Sequence, residues 1–210
     1  MHFNHSFKTI LLSISFLMFL LLARFVYTKT FFFGFYIWNT FLAVIPILLS
    51  SFLLKNKLNL HAKVFVFVLW LIFFPNAAYL ITDVLHFKER KDVPLWFDVI
   101  LVIQASWVGL ICTIVSLKDI ETFFRQYISQ KLSLFFIISI VIVCSYGVYL
   151  GRFLRFNSWD IFTSPNVIIN ESIDRLMNPF NHVKTYCFVF FFSLFIGLKF
   201  SYYRFNSKPS

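Results

Sequence analysis

Residues 62–86 read AKVFVFVLWLIFFPNAAYLITDVLH, an apolar run that leads into a polar segment across Pro75. The apolar run that precedes Pro75 is about 13 residues long, too short to cross a hydrocarbon core of about 30 Å at about 1.5 Å per residue. A helix that starts near Ala62 must therefore continue through Pro75. We expect a kink there, because proline removes one backbone hydrogen bond inside the membrane.

The second half of this stretch, PNAAYLITDVLH, carries polar residues at helical spacing. At about 100° per residue, four of them fall within an arc of about 80°: Asn76, Tyr79, Asp83 and His86. The pattern predicts one polar stripe that runs from membrane depth to the interface. Hydrogen bonds to neighbouring helices are a sufficient explanation for Asn76 alone, but a weaker one for all four residues.

The rest of the chain has the composition of a membrane protein. Hydrophobic residues make up 60% of the sequence, charged residues 13%, and the mean hydropathy is +0.80. We therefore predict an all-α, polytopic protein with about six transmembrane helices in one integral-membrane domain, residues 1–210. The predicted spans are residues 8–27, 31–54, 62–82, 95–117, 132–151 and 183–203, with a long loop at residues 152–182. Within that loop, residues 170–178 are predicted to form a short amphipathic helix capped by Asn170.

The charges and the cysteines argue against nucleic-acid binding, a cleaved signal peptide and a framework of disulfides or metal-binding pairs. The net charge of +10 comes from cations that lie mostly between the apolar spans, so topology and lipid headgroups explain it better than nucleic acid does. The first span lacks a cleavage site and is interrupted by Arg24, which favours a retained helix over a signal peptide. An odd number of cysteines inside apolar runs indicates packing rather than disulfides or metal pairs.

A second polar block, GRFLRFNSWD, occupies residues 151–160. If span five continues as a helix through the block, Arg152 and Arg155 share one face with Trp159. Two guanidinium groups beside a tryptophan would form a clamp for an anionic headgroup or phosphate. Two alternatives remain open: the arginines pair internally with Asp83, Asp98 or Asp160, or they extend to the interface as lone cations.

Counting spans predicts that the two blocks lie together. With six spans, the connections after spans three and five are on the same side of the membrane, so all the charged residues singled out gather at one face. About ten lysines and arginines lie on the side of the termini and about nine on the other. Discounting Arg152 and Arg155 leaves about seven on the other side, which favours cytoplasmic termini and an outward-facing site.

The residue types of the first block suit acid–base catalysis or metal binding. Asp83 and His86 are three residues apart, a spacing that suits a carboxylate and an imidazole in acid–base catalysis or as two metal ligands, with Asp98 and Asp160 as further carboxylates. The pattern D-x-x-H has low specificity, and no H-E-x-x-H or C-x-x-C pair supports it. We therefore predict no metal site and assign no cofactor.

Span four resembles a packing surface. Ala105 and Gly109 form a small-xxx-small pair that allows close helix approach. Gln104 is a lone polar residue in mid-span, which an interhelical hydrogen bond explains. Because charges are missing from the midplane, a pump or proton-coupled transporter is only a minor option.

The two blocks together resemble a family of bacterial integral-membrane proteins catalogued as domain of unknown function 1361. Its members share the motifs PNA-x-Y-x-x-TD-x-x-H and GRF-x-R-x-NSWD, which match residues 75–86 and 151–160 here. One departure is Ala78, where the family usually carries a second proline. The resemblance covers about residue 58 to the last span. It implies a bacterial inner-membrane location and a site shared by the family, but no particular activity.

The leading hypothesis is a polar, interface-level pocket that binds an anionic lipid or envelope-related ligand. Its enzyme version is a transferase or hydrolase that acts on a lipid-linked substrate, with Asp83 and His86 as acid and base. The rival hypothesis is a non-catalytic scaffold or accessory subunit whose charges pair internally. The predicted ligand-binding residues are Asn76, Tyr79, Asp98, Arg152, Arg155, Asn157, Trp159 and Asp160.

Overall fold

The computed structural model describes residues 2–87 and 92–206, except for the side chains of residues 2–6, 86 and 206. In the described part, every regular element is a helix. Six helical segments are long and apolar enough to cross a membrane. The prediction of an all-α polytopic membrane protein with about six spans is confirmed.

The elements of the described part are eight α-helices and two 3₁₀ helices. They are α1 His2–Thr28, α2 Phe35–Lys55, α3 Leu60–Tyr79, α4 Leu95–Phe124, α5 Gln130–Phe153, α6 Asp160–Thr163, α7 Pro165–Met177 and α8 Val183–Asn206, with 3₁₀ helices at Leu80–His86 and Pro179–His182.

Helix α3 begins and ends for local reasons. The side chain of Asn59 caps its N-terminus by accepting a hydrogen bond from the backbone N–H of Ala62 at 2.9 Å. The helix continues through Pro75, as the length of the apolar run requires, and becomes a 3₁₀ helix after Tyr79. The continuous membrane segment runs over Leu60–Leu85.

The chain forms two compact units, Met1–Ser116 and Leu117–Ser210, and the boundary falls within α4. In the first unit, α2 packs against α3, and apolar residues from α1, α2, α3 and α4 form a buried core. In the second unit, α5 packs against α8.

Two helices extend further than the hydropathy pattern indicates. Helix α4 continues to Phe124 rather than ending near residue 117, because Glu121 is buried and accepts a hydrogen bond from Arg204 Nε at 2.7 Å. Helix α7 starts at Pro165 rather than at Asn170. Proline suits the first helical position, since its missing N–H would have no partner there.

Candidate functional site

The first polar block changes from an α-helix to a 3₁₀ helix after Tyr79. Because a 3₁₀ helix turns about 120° per residue, the positions from Asn76 to His86 spread over an arc of about 120° instead of about 80°. Positions 83 and 86 lie directly above one another on the 3₁₀ repeat. Asp83 is buried, whereas the side chain of His86 lies outside the described part. Their role as acid and base stays a prediction.

Two polar side chains of this block bond to the backbone of their own segment. Asn76 Nδ2 donates to the carbonyl oxygen of Phe73 at 2.9 Å, and Thr82 Oγ1 donates to that of Tyr79 at 2.7 Å. The hydroxyl of Ser106 in α4 lies 3.0 Å from the carbonyl oxygen of Val102 in its own helix and 3.3 Å from that of Leu80, where the α-helix becomes a 3₁₀ helix. These contacts supply acceptors and donors that water cannot provide inside a membrane.

Asp98 forms an ion pair with a residue that the sequence did not suggest as a partner. Arg24 of α1 donates from Nε to Asp98 Oδ1 at 2.8 Å and from Nη2 to Oδ2 at 3.2 Å. Both residues are 2% exposed, and the guanidinium lies over the ring of Phe33, 4.6 Å from its centroid. The sequence signal was present: a lone cation within one apolar span and a lone acid at the start of another.

The second polar block does not continue the helix of span five. Helix α5 ends at Phe153, and Arg155 has a left-handed backbone with φ of 64°. The N–H of Phe156 donates to the carbonyl of Leu150 at 3.2 Å, which closes the helix end around Arg155. Arg152 is buried on the last turn, whereas Arg155 is exposed. The expectation that both arginines share one helix face is therefore wrong.

The NSWD segment forms a tight turn. Asp160 Oδ2 accepts a hydrogen bond from the backbone N–H of Asn157 at 2.6 Å, and its other oxygen accepts one from Thr163 Oγ1 at 3.3 Å. These hydrogen bonds close the turn that leads into the short helix α6, whose first residue is Asp160. Trp159 in the same turn is 43% exposed. Asn157 and Asp160 thus shape the backbone that presents Arg155 and Trp159.

Helix α7 is held by a polar cluster that the sequence analysis missed. Arg175 is 6% exposed and pairs with Glu171, four residues earlier on the same helix. Tyr146 of α5 donates to Ser172 at 2.8 Å, and Tyr186 of α8 donates to the carbonyl of Arg175 at 2.8 Å. Tyrosines on two membrane helices and partners on a loop helix give no local pattern, because they lie far apart in the sequence.

The C-terminal end of α7 is closed by an acid. Asp174 accepts hydrogen bonds from Asn178 Nδ2 at 2.8 Å and lies 2.6 Å from His182 Nε2. The side-chain hydrogen bonds from Asn178 and His182 lower the pKa of Asp174 below its ordinary value, and this residue is outside the membrane spans. The connection between α7 and α8 therefore depends on a carboxylate.

The structure places the predicted site residues in two groups. Asn76, Tyr79, Asp83 and Asp98 belong to the first unit, and the residues of the second block belong to the second. The prediction that both groups share one membrane face rests on span counting alone. Among the residues whose side chains are described, no three His, Cys, Asp or Glu residues are grouped as metal ligands.

The predicted packing features of span four are present. Gln104 Nε2 donates to the carbonyl of Ser13 in α1 at 2.8 Å, an interhelical hydrogen bond. A Cβ placed on Gly109 would lie 2.6 Å from Leu80 Cβ and 2.7 Å from the carbonyl oxygen of Ala77. Ala105 is fully buried one turn before it. The small residues therefore allow α4 to approach the backbone of α3 closely.

A known protein family matches most of the chain. The model of the family described as "Protein of unknown function (DUF1361)" matches residues 38–198. No curated protein and no solved structure matches the sequence. The matched range includes both polar blocks, five of the six membrane segments in whole or in large part, and the loop helices. The chain therefore belongs to the DUF1361 family of multi-pass membrane proteins.

Proposed function

We propose that the protein is a non-catalytic membrane scaffold or accessory subunit, built as a single integral-membrane domain whose charged residues pair internally. The observation that carries this proposal is the buried ion pair of Arg24 and Asp98. A pocket that binds an anion or a substrate needs charged groups that face the ligand. In this pair, the guanidinium and the carboxylate face each other and are closed off from solvent.

Other residues of the predicted site support the same proposal. The carboxylate of Asp160 accepts a hydrogen bond within its own turn, and the side-chain amide of Asn76 donates one to a carbonyl of its own helix. Arg152 and Asp83 are buried. Burying charges costs several kcal/mol per ion unless they are paired, so a membrane helix keeps them only where they hold a partner or perform chemistry.

The test uses variants of the ion pair. Asp98→Asn leaves Arg24 buried without a counter-charge, so the free energy of unfolding in mixed micelles should fall by about 3–5 kcal/mol. The double variant Arg24→Met with Asp98→Leu should recover most of this loss, because two apolar side chains can replace a buried pair. Asp92→Asn, at an exposed acid outside the membrane segments, is the control and should have no effect.

The same variants separate a scaffold from a binding pocket. Native mass spectrometry of the stable double variant should show the same co-purified molecules as the wild type, since the pair binds no ligand. Loss of one specific bound molecule from the double variant at unchanged stability would contradict the scaffold and favour the pocket.

A second candidate function is binding of an anionic lipid headgroup at the second block. Arg155 and Trp159 support it, because both are exposed beside the exposed apolar residues Phe153 and Phe162. A cation and a tryptophan next to apolar side chains suit the headgroup level of a bilayer. In this version Arg152 and Asn157 support the anion from the same segment.

Arg155→Gly tests this second candidate. Glycine accepts the left-handed backbone of this position, so folding should be unaffected and only the charge is lost. Retention of phosphatidylglycerol, measured by native mass spectrometry, should fall for Arg155→Gly and be preserved for Arg155→Lys. Equal retention by all three proteins would exclude a headgroup site at Arg155.

The proposed location is the cytoplasmic membrane of a bacterium, with both termini in the cytoplasm. The location follows from the family resemblance, and the orientation rests on the distribution of lysines and arginines between the spans. Green fluorescent protein fused after the last residue should fluoresce, and alkaline phosphatase inserted after Trp159 should be active. The opposite pair of results would reverse the orientation.

A further inference from the structure

The second unit contains an apolar groove between α5 and α8, with a volume of about 850 Å³. Its walls are aliphatic and aromatic side chains, among them Ile138, Val141 and Ile142 of α5 and Val189 and Leu198 of α8. This volume lies in the range of small-molecule sites, about 300–1,000 Å³. The groove lies within two membrane segments, so lipid has direct access to it.

Small residues on α8 create the space. Ser193, Gly197 and Ser201 all line the groove at four-residue spacing, so they follow one another along one face of the helix. A Cβ built on Gly197 would meet no atom within 4 Å. The hydroxyl of Ser193 donates to the carbonyl of Val189 in its own helix, which leaves the lining apolar in character.

One end of the groove carries positive charge. Arg204 lines the groove there and donates from Nε to Glu121, while its side chain remains 24% exposed. The two acids near this end, Asp119 and Glu121, are buried. Arg125 and Lys131, in contrast, are exposed. The exposed charge at this end of the second unit is therefore positive.

Contacts within the second unit bring these cations to the same end. Ser133, near the start of α5, donates to the carbonyl of Glu121 at 3.4 Å. Lys118 lies over the ring of Tyr203 of α8, with Nζ 4.9 Å from the ring centroid. The end of α4, the start of α5 and the end of α8 thus meet around Arg204.

From these features we infer that the α5–α8 groove binds one anionic phospholipid, with its acyl chain along Gly197 and its phosphate at Arg204. Arg204 has five N–H donors, and within the described residues only the Nε donor is hydrogen-bonded, so the others suit phosphate oxygens. The proposed orientation places this end at the cytoplasmic leaflet, where anionic lipids concentrate. This lipid site does not depend on the proposed scaffold function.

The extent of the groove favours a lipid over a transmembrane helix. The α5 wall runs from Leu134 to Ile142, a rise of about 12 Å, whereas the α8 wall continues towards Tyr186. Both walls are therefore present only over about one leaflet of a hydrocarbon core that is about 30 Å thick. A partner helix would need a groove across the whole core. The site also differs from the Arg155 site, which follows the opposite end of α5.

The test measures lipid retention by native mass spectrometry after exchange into micelles with equal amounts of phosphatidylglycerol and phosphatidylcholine. The wild type should keep one phosphatidylglycerol in preference to phosphatidylcholine. Gly197→Leu should lose this adduct at an unchanged melting temperature, because the added side chain fills open space in the groove. Cys187→Leu, at an exposed position of α8 outside the groove, is the matched control and should keep the adduct.

A double variant tests the charge separately. Glu121→Gln with Arg204→Gln removes both members of the pair, so no buried carboxylate is left alone, and it should bind the two lipids equally. The inference would be overturned if Gly197→Leu kept the adduct, or if the wild type did not discriminate between the lipids. A dimer of the wild type that Gly197→Leu dissociates would also overturn it, since a second copy would then occupy the groove.

Discussion

Arg24 of α1 and Asp98 of α4 form a bidentate ion pair, with Nε to Oδ1 at 2.8 Å and Nη2 to Oδ2 at 3.2 Å. The pair is surrounded by the buried apolar core of the first unit, to which Phe33, Leu101 and Val102 contribute. Two parallel N–H···O bonds require the planar fork of arginine. The geometry therefore depends on arginine as well as on a positive charge.

We predict that Arg24→Lys is destabilising although the charge is kept. An ammonium group cannot make both bonds, so at least one oxygen of Asp98 loses its partner, and the free energy of unfolding should fall by about 1–3 kcal/mol. Titration with sodium dodecyl sulfate in mixed micelles measures this change. A variant as stable as the wild type would show that the positive charge alone is sufficient.

Gly109 and Gly197 should respond in opposite ways to alanine. Gly109→Ala places a Cβ within 2.7 Å of a backbone oxygen of α3, so we expect a loss of about 1–3 kcal/mol. The Cβ added by Gly197→Ala has no atom within 4 Å. This variant should leave the free energy of unfolding unchanged or raise it by up to about 1 kcal/mol, because alanine favours the helix. Unfolding titrations of both variants provide the comparison, and equal effects would contradict the close approach at Gly109.

We predict that the hydroxyl group of Ser116 stabilises the fold. Its Oγ accepts a hydrogen bond from Trp70 Nε1 at 2.7 Å, and Trp70 is fully buried. Ser116→Ala leaves the indole N–H without an acceptor and should cost about 1–3 kcal/mol. Ser139→Ala is the control, because the Ser139 hydroxyl donates to the carbonyl of Phe135 in its own helix, and it should have little effect. The fluorescence emission maximum of Trp70 should shift in Ser116→Ala and stay unchanged in Ser139→Ala.

The connection between α7 and α8 should loosen in acid. Its hydrogen bonds hold the pKa of Asp174 below the ordinary value of 3.8, so their stabilisation is fully present above about pH 3.8 and is lost as the pH falls through the lower pKa of the folded state. Protection of residues 174–186 from hydrogen exchange, corrected for the intrinsic pH dependence of exchange, should therefore decrease below about pH 3.8. In Asp174→Asn, which cannot titrate at this position, the corrected protection should change much less over the same pH range.

Much of this architecture could be predicted because it depends on local properties. The six spans follow from hydropathy and length, and the continuation through Pro75 follows from the rise per residue. The close approach at Gly109 and the hydrogen bond of Gln104 were also predictable, since a small or polar residue in mid-span has few other uses. In each case a few adjacent residues carry the information.

The candidate site was less predictable because its geometry depends on departures from a regular helix. The α-helical period fails at Tyr79, where the 3₁₀ helix starts, and again at Arg155, whose backbone is left-handed. At the first departure a side chain from another helix, Ser106 of α4, approaches the carbonyl oxygen of Leu80 at 3.3 Å. A periodicity argument continues a helix until proline or glycine interrupts it, and neither residue stands at these two positions.

The amino-acid sequence is sufficient to predict a six-span membrane protein and to identify the residues that are too polar to lie unpaired within it. Their partners become known only from the packing of the helices. It joins Arg24 to Asp98, Arg204 to Glu121 and Tyr186 to the backbone of Arg175. The physical reason is that hydropathy acts on each segment separately, whereas an ion pair depends on which helices become neighbours and at what depth their charges meet.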